Sequence, residues 1–172
     1  MSREYLYLAY GSNLHPERLR QRTPSARLLG TTSLEGWGLR WHKRSVDGSA
    51  KCDVAAAPGG ALVVHGAVYA IAAPEWAALD AAEGAGYAAH ALEIPEYGRV
   101  FLYRARPQYV VEGLRPYRWY RDYVLWGARY HGFPAPYIAQ IFALPWDEDP
   151  DPRRARHHER AVAALSATVP RD

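Results

Sequence analysis

The residue whose position most conflicts with its chemistry is Glu83. Counting about 100° per residue from Trp76, Leu79 lies at about −60° and Glu83 at about −20°, so all three share one helical face. Burial on that face and a place in the last helical turn both disfavour a negative charge, so the pKa of Glu83 is expected to be raised. Glu83 is therefore a candidate proton carrier. In the alternative reading, Glu83 frays outward or pairs with an arginine.

A second candidate is the segment Tyr10-Gly11-Ser12-Asn13-Leu14, where a predicted strand breaks at glycine and Pro16 then opens a helix. Free backbone N–H groups at such a turn can bind an anion or an oxyanion. The segment lacks the glycines of a dinucleotide loop and the lysine of a phosphate loop. It is also not a nucleophile elbow, because Leu14 replaces the second glycine. The alternative is a tight turn with a helix cap.

The remaining groups predict neither a metal site nor a cofactor. His157 and His158 are adjacent, so on a helix their side chains diverge by about 100°. No other histidine pair shows the spacing of metal ligands, and the single cysteine, Cys52, excludes a site built from several thiolates.

The stretch Arg115–Arg121 alternates arginines with aromatic residues, as a surface for single-stranded nucleic acid does. Residues 104–131 hold six arginines against Glu112 and Asp122. More commonly, such arginines lie over aromatic side chains at a solvated edge. A noncatalytic nucleic-acid-binding module is thus a rival function, although no nucleic-acid partner is expected.

Composition bounds the class of protein. The 172 residues are 49% hydrophobic and 23% charged, with a net charge of +3, which fits one globular domain. The sequence contains no apolar run near the ~20 residues of a membrane helix, and its first residues lack a secretory pattern. We expect a cytoplasmic protein without membrane contact. Residues 1–150 are expected to form one domain, with 151–172 as its C-terminal helical extension.

Strands precede helices along the chain, with glycine and proline separating them. Strands are predicted at Tyr5–Tyr10, Ala26–Leu34, Trp37–His42, Cys52–Ala57, Ala61–Ile71, Tyr87–Ile94 and Arg99–Tyr103. Helices are predicted from Pro16 to Gln21, from Pro74 to Gly84 or Gly86, at Tyr120–Tyr130, at Pro134–Leu144, and from Pro152 to about Thr168. This order predicts an α+β fold on a largely antiparallel, barrel-like sheet flanked by helices.

Taken in order, these pieces resemble the γ-glutamylcyclotransferase family, including its γ-glutamylamine and AIG2-like branches. The similarity begins at Leu8–Leu14, and the remaining matches cover about residues 4–145. They are Pro24–Arg27, His42–Ser49, Gly66–Tyr69, Leu79–Gly84, Tyr87, Pro116 with Tyr120, Gly127-Ala128, and Gly132-Phe133-Pro134 with Tyr137. The ordered set is specific, although no single motif decides the matter.

The resemblance implies roles for particular residues. It makes Glu83 the catalytic glutamate and gives substrate binding to Tyr10, Gly11, Ser12, Asn13 and Leu14, and to Tyr87 and Tyr120. Tyr117 and Tyr130 depart from the residues common in animal members, and the connection from Glu83 to Tyr87 is shorter. These departures bear on the identity of the substrate.

The implied reaction is cyclisation of a γ-glutamyl amide to 5-oxoproline with release of an amine or amino acid. The substrate supplies its own nucleophile, the α-amine, so neither metal nor cofactor is implied. The partner is a small γ-glutamyl compound. A γ-glutamylamine or a protected natural-product amine is the alternative substrate, and the oligomeric state is left open.

Overall fold

The computed structural model describes residues 3–170, which form seven strands and five α-helices. The strands are β1 (Glu4–Ala9), β2 (Arg27–Glu35), β3 (Trp37–Arg44), β4 (Ala50–Ala56), β5 (Val63–Ala72), β6 (Tyr87–Ile94) and β7 (Gly98–Ala105). The helices are α1 (Pro16–Arg20), α2 (Trp76–Glu83), α3 (Arg118–Tyr130), α4 (Ala135–Ala143) and α5 (Pro152–Ser166). Each predicted element is present, with ends shifted by a few residues.

The strands form two sheets. Five of them lie in the order β2-β5-β1-β7-β6, and β3 pairs with β4 in a separate hairpin. Every pairing is antiparallel except that of β1 with β7. The predicted α+β, largely antiparallel class is confirmed, but the strands of residues 3–170 do not close into a barrel. The reason is that β3 and β4 form their strand ladder with each other and leave β2 and β6 as sheet edges.

The two central strands carry the core. Leu8 of β1 and Val68, Tyr69 and Ile71 of β5 are fully buried. The Tyr69 hydroxyl donates a hydrogen bond of 2.5 Å to the carbonyl of Leu14. The segment that follows β1 is therefore hydrogen-bonded to the neighbouring strand β5.

Helix α2 follows the predicted amphipathic pattern. A 3₁₀ turn at Ala73–Glu75 precedes it, so the α-helix begins two residues after Pro74. Gly84 ends the helix with a φ of 75°, a left-handed conformation that favours glycine. Leu79 is fully buried. The side chain of Glu83, the last helical residue, is only 14% exposed.

The C-terminal helix α5 is fastened to α3 through Asp149. This carboxylate accepts a hydrogen bond from the Trp119 indole at 2.9 Å and bonds from Arg154 at 2.6 and 2.7 Å. The His158 ring stacks on Trp119 with 3.9 Å between ring centroids. Val162 and Leu165 of α5 are buried.

We predict that Asp149→Asn lowers the free energy of unfolding at neutral pH by about 1–3 kcal/mol. Burial alone would raise the pKa of Asp149, but hydrogen bonds from Arg154, the Asp151 N–H and Trp119 lower it to about 2. A depressed carboxyl pKa stabilises the fold above the unfolded value and loses that effect as the pH falls.

The difference in melting temperature between the two proteins should therefore shrink as the pH falls from about 5 towards 2. Tryptophan fluorescence, to which Trp119 contributes as one of six tryptophans, follows the transition. A difference that stays constant over this range would show that the charge of Asp149 does not hold α5.

Candidate active site

A cleft opens where β1 ends, next to the end of α2; we call it the Glu83 cleft. It is bordered by tyrosines, by the loop that follows β1, by one residue of β4 and by the helix end. These are Tyr7, Tyr10, Gly11, Ser12, Asn13, Cys52, Glu83, Tyr87, Tyr103 and Tyr120. The strand order explains why these residues lie together. Because β1 lies between β5 and β7, the loop that follows β1 lies at the middle of one end of the sheet.

The Glu83 carboxylate is held by side chains of the loop and of the segment after α1. Asn13 donates to Glu83 Oε1 at 2.7 Å and to the Tyr7 hydroxyl at 3.1 Å. Arg22 donates to Asn13 Oδ1 at 3.0 Å and lies 3.5 Å from Glu83 Oε1. The Asn13 amide therefore fixes the orientation of the Glu83 carboxylate, and the Arg22 guanidinium contacts both Asn13 and Glu83.

Burial raises the pKa of Glu83 above its usual value. Arg22, the hydrogen bond from Asn13, and Lys43 oppose this rise without cancelling it. The structure thus combines both readings of the sequence, because Glu83 faces inward and also pairs with an arginine. A carboxyl group in this state can accept and return a proton more readily near neutral pH than an exposed one.

The loop after β1 offers backbone donors. The N–H of Leu14 closes a turn on the Gly11 carbonyl at 3.1 Å. Within residues 3–170, no protein acceptor receives the N–H groups of Gly11, Ser12 or Asn13. A Cβ on Gly11 would lie 3.1 Å from Cys52 Cβ and 3.6 Å from the Tyr120 hydroxyl, so glycine also allows the loop to approach β4.

Two of the predicted tyrosines are oriented by the backbone of Cys52. Its N–H donates to the Tyr120 hydroxyl at 3.0 Å, and its carbonyl accepts from the Tyr87 hydroxyl at 2.6 Å. Burial raises the pKa of both tyrosines well above 10, so both remain neutral. Tyr120 keeps its own proton to donate, whereas Tyr87 presents its oxygen as an acceptor.

Leu14 does not border the cleft, unlike the other predicted residues. Its side chain is fully buried against Gly127, and its carbonyl accepts from Tyr69 and, at 2.7 Å, pairs with His131. The apolar side chain of Leu14 is more stable in the core than at a polar cleft. Leu14 anchors the loop.

Sequence reasoning missed Tyr7, Cys52, Tyr103 and Arg22. The sequence does contain a signal for Tyr7. In β1 it lies two residues before the buried Ala9, and it therefore shares the strand face of Ala9. Cys52 and Tyr103 enter through pairings between distant strands. Arg22 follows α1 with no pattern of its own.

Other regions offer less chemistry. A larger cavity of about 840 Å³ lies along α3 and α4, but its lining is mostly apolar, with Arg129 as its charged member. We place the site in the smaller cleft because the titratable groups converge there. Within residues 3–170, no three His, Cys, Asp or Glu side chains are grouped to hold a metal. No helix in that range is long and apolar enough to cross a membrane.

The arginines of Arg115–Arg121 are matched by acidic groups. Arg118 contacts Glu159 at 2.7 Å, and Arg115 lies 3.7 Å from Asp147. Arg121 is buried, donating to Asp122 and to the Phe142 carbonyl. Trp119 and Tyr120 are buried too, so neither ring presents a face on which a base could stack.

Comparison with solved structures identifies the fold. A structure titled gamma-glutamyl cyclotransferase superposes with a TM-score of 0.78 at 22% identity, covering 94% of this chain and 99% of that one. An uncharacterized protein from Homo sapiens gives a TM-score of 0.75 at 23% identity, with coverages of 93% and 98%. YkqA from Bacillus subtilis gives 0.64 at 16% identity, covering 84% of this chain and 56% of that one.

These similarities confirm the fold predicted from the sequence, which is that of gamma-glutamyl cyclotransferase. The sequence matches no family model and no curated protein. At 22% identity the likeness defines the architecture, while the substrate and the reaction remain to be argued from the site.

We predict that Asn13→Asp destabilises the protein more strongly as the pH rises. The new carboxylate would lie where Asn13 now donates to Glu83 at 2.7 Å, and two carboxylates at that distance cannot both ionise cheaply. Arg22 can neutralise only one of them.

The measurement is the melting temperature near pH 4 and near pH 8, on either side of the expected titration. Asn13→Ala is the matched control, because it removes the donor without adding a charge. It should also lose more stability near pH 8, since the Asn13 hydrogen bond lowers the pKa of Glu83, but the increase should be smaller than for Asn13→Asp. Equal losses for Asn13→Asp at both values would contradict the assigned contact.

Proposed function

We propose that the protein is a γ-glutamylcyclotransferase-like enzyme that converts a γ-glutamyl amide into 5-oxoproline and a free amine or amino acid. The observation that carries this proposal is the inward-facing Glu83, whose pKa burial raises, beside a loop with unused backbone N–H groups. The shared fold with gamma-glutamyl cyclotransferase supports it.

The reaction needs no enzyme nucleophile. The α-amine of the substrate attacks its own γ-carbonyl carbon, and well-oriented intramolecular attack reaches effective molarities of about 10⁵–10⁸ M. Cys52 is the one thiol at the cleft, and burial raises its pKa, so it stays protonated and unreactive. The site therefore supplies proton transfer and charge stabilisation.

Glu83 is suited to carry the proton. The substrate ammonium has a usual pKa near ~7.7–8.0 and must lose a proton before the amine attacks. Glu83 accepts this proton, the free amine then forms the ring C–N bond, and Glu83 returns the proton to the departing nitrogen as the original amide bond breaks. The proton that the ring nitrogen sheds after the attack is released to water. Asn13 and Arg22 keep the carboxylate in place throughout.

The loop and the tyrosines complete the arrangement. The N–H groups of Gly11–Asn13 would stabilise the oxyanion of the tetrahedral intermediate, which is supported by their lack of a protein acceptor within residues 3–170. Tyr120 has a proton to donate to a substrate oxygen, because its own oxygen already accepts from Cys52. Tyr87 presents an acceptor oxygen suited to the substrate ammonium.

The Glu83 cleft holds only about 20 Å³, room for about one water molecule. A γ-glutamyl group is larger, so binding requires side chains around the cleft to move.

We further propose that residues 1–150 hold the catalytic machinery and that 151–172 extend the same domain. The described part of that extension, α5, packs on α3 through Asp149 and His158. The rival nucleic-acid-binding function is not favoured, because Arg115, Arg118 and Arg121 each lie against a carboxylate.

Glu83→Gln should lower turnover by about 10²–10⁴-fold, since the amide keeps the shape but cannot carry a proton. The variant should also melt at a higher temperature than the wild type at neutral pH. Because the folded pKa of Glu83 exceeds 4.5, ionisation in the folded state costs stability as the pH rises, and glutamine avoids that cost.

The assay is 5-oxoproline formation from a panel of γ-glutamyl amino acids and γ-glutamylamines. Glu75→Gln is the matched control, because Glu75 lies just before α2 and contacts Ser25 outside the cleft. Full activity of Glu83→Gln would remove the proposed proton carrier. No product from any compound with the wild-type protein would reject the proposed function.

Gly11→Val should abolish turnover while the protein stays folded. The added Cβ would press on Cys52 at 3.1 Å, and its methyl groups would occupy the approach to the loop N–H groups. Far-UV circular dichroism checks the fold and the 5-oxoproline assay checks the rate. Near-normal turnover would mean that the loop is only a turn.

A further inference from the structure

The chain contains 19 arginines and two lysines, and both lysines are buried next to the Glu83 cleft. Lys43 is 6% exposed and Lys51 is 8% exposed. Burying an ammonium group is costly unless it is paired with a counter-ion. Each of the two buried lysines is therefore expected to have a counter-ion.

Lys51 is fully partnered. Its ammonium donates to Asp47 at 2.8 Å and to Ser49 at 2.7 Å. It also lies 4.6 Å from the ring centroids of Trp119 and Tyr120. Its role is structural, because Asp47 supplies the counter-charge and the rings supply the remaining contact.

Lys43 lacks such a partner. Its ammonium lies 4.6 Å from the ring centroid of Tyr87 and 5.9 Å from that of Tyr109. Within residues 3–170, no carboxylate oxygen approaches it within the 4.0 Å of an ion pair, and no acceptor hydrogen-bonds to it. Aromatic faces recover only part of the lost hydration of a cation.

The position of Lys43 is fixed by glycine. A Cβ on Gly86 would collide with the Lys43 side chain, so the segment from Glu83 to Tyr87 leaves a channel for it. From β3, Lys43 reaches the ring of Tyr87, which borders the cleft, whereas Asn13 and Arg22 contact Glu83 directly. The Lys43 ammonium thus lies close enough to Glu83 for each charge to influence the pKa of the other, but without the direct contact that Arg22 makes.

We propose that Lys43 forms a subsite for a carboxylate of the substrate, reached through the Glu83 cleft. The proposal rests on the proposed function and narrows it to substrates with an acid group in reach of Lys43. A γ-glutamyl amino acid offers two such groups, the α-carboxylate of the glutamyl part and the carboxylate of the departing amino acid. A carboxylate supplies both the charge and the acceptors that the Lys43 ammonium lacks.

Three compounds separate the two sources. γ-Glutamylalanine carries both carboxylates, γ-glutamylalaninamide lacks that of the departing group, and 4-aminobutanoylalanine lacks the α-carboxylate. Each can cyclise by the same attack, the last one to 2-pyrrolidinone. Lys43→Met keeps the apolar stem over Tyr87 and removes the charge, and Lys43→Arg restores a charge.

With γ-glutamylalanine, Lys43→Met should raise KM about 10- to 100-fold and leave kcat within a fewfold. Lys43→Arg should recover part of the loss. For the compound that lacks the carboxylate bound by Lys43, KM should be the same in Lys43→Met as in the wild type. That compound identifies which of the two carboxylates Lys43 binds. An equal loss of kcat with all three compounds, or no effect on any of them, would overturn the subsite.

A measurement of binding affinity tests the Lys43 subsite separately from the proposed reaction. Calorimetry in a Glu83→Gln background, with and without Lys43→Met, measures Kd for the same compounds without turnover. If the wild type forms no cyclic product, the proposed function fails, and Kd alone decides about Lys43. Weaker binding of γ-glutamylalanine on loss of Lys43 supports the subsite, and an unchanged or undetectable Kd rejects it. Lys43→Gln replaces Lys43→Met if the latter does not fold.

Discussion

The rest of the site depends on the side-chain amide of Asn13, which connects strand β1, the end of helix α2 and the segment after helix α1. It donates to Glu83 and to Tyr7, and its oxygen accepts from Arg22. Asn13 is 2% exposed and is the only asparagine in the chain. An aspartate of the same shape could not donate, and a hydrophobic residue would leave the carboxylate without its shortest hydrogen bond.

This constraint explains why the surroundings of the cleft are built from neutral hydroxyl groups. Tyrosines surround the Glu83 cleft on several elements, and burial raises their pKa values, so none adds a second negative charge beside Glu83. The hydroxyl groups of Tyr10, Tyr87 and Tyr120 bond to backbone carbonyls or N–H groups, which fixes these rings without further charge. The carboxylate thus lies among neutral hydroxyl groups, with Asn13 and Arg22 as its direct partners.

The elements were predictable because glycine and proline separate them, and Glu83 was predictable because it interrupts a helical apolar stripe that also holds Leu79. What the sequence pattern does not contain is the pairing of distant strands. Alternation marks β3 and β4 as strands, but it cannot show that they pair with each other outside the main sheet. For the same reason Cys52 and Arg22 were missed, and Leu14 was assigned to substrate although its side chain belongs to the core.

The placement of both lysines on the β3–β4 hairpin has a consequence for proteolysis. A protease that cuts only after lysine must bind several residues of extended chain, and in the folded protein both sites are buried within paired strands. Cleavage therefore requires the hairpin to separate. When opening and closing are fast relative to cutting, the cleavage rate measures the free energy of that local opening. The scarcity of lysine thus makes the hairpin beside the cleft observable by itself, without any label.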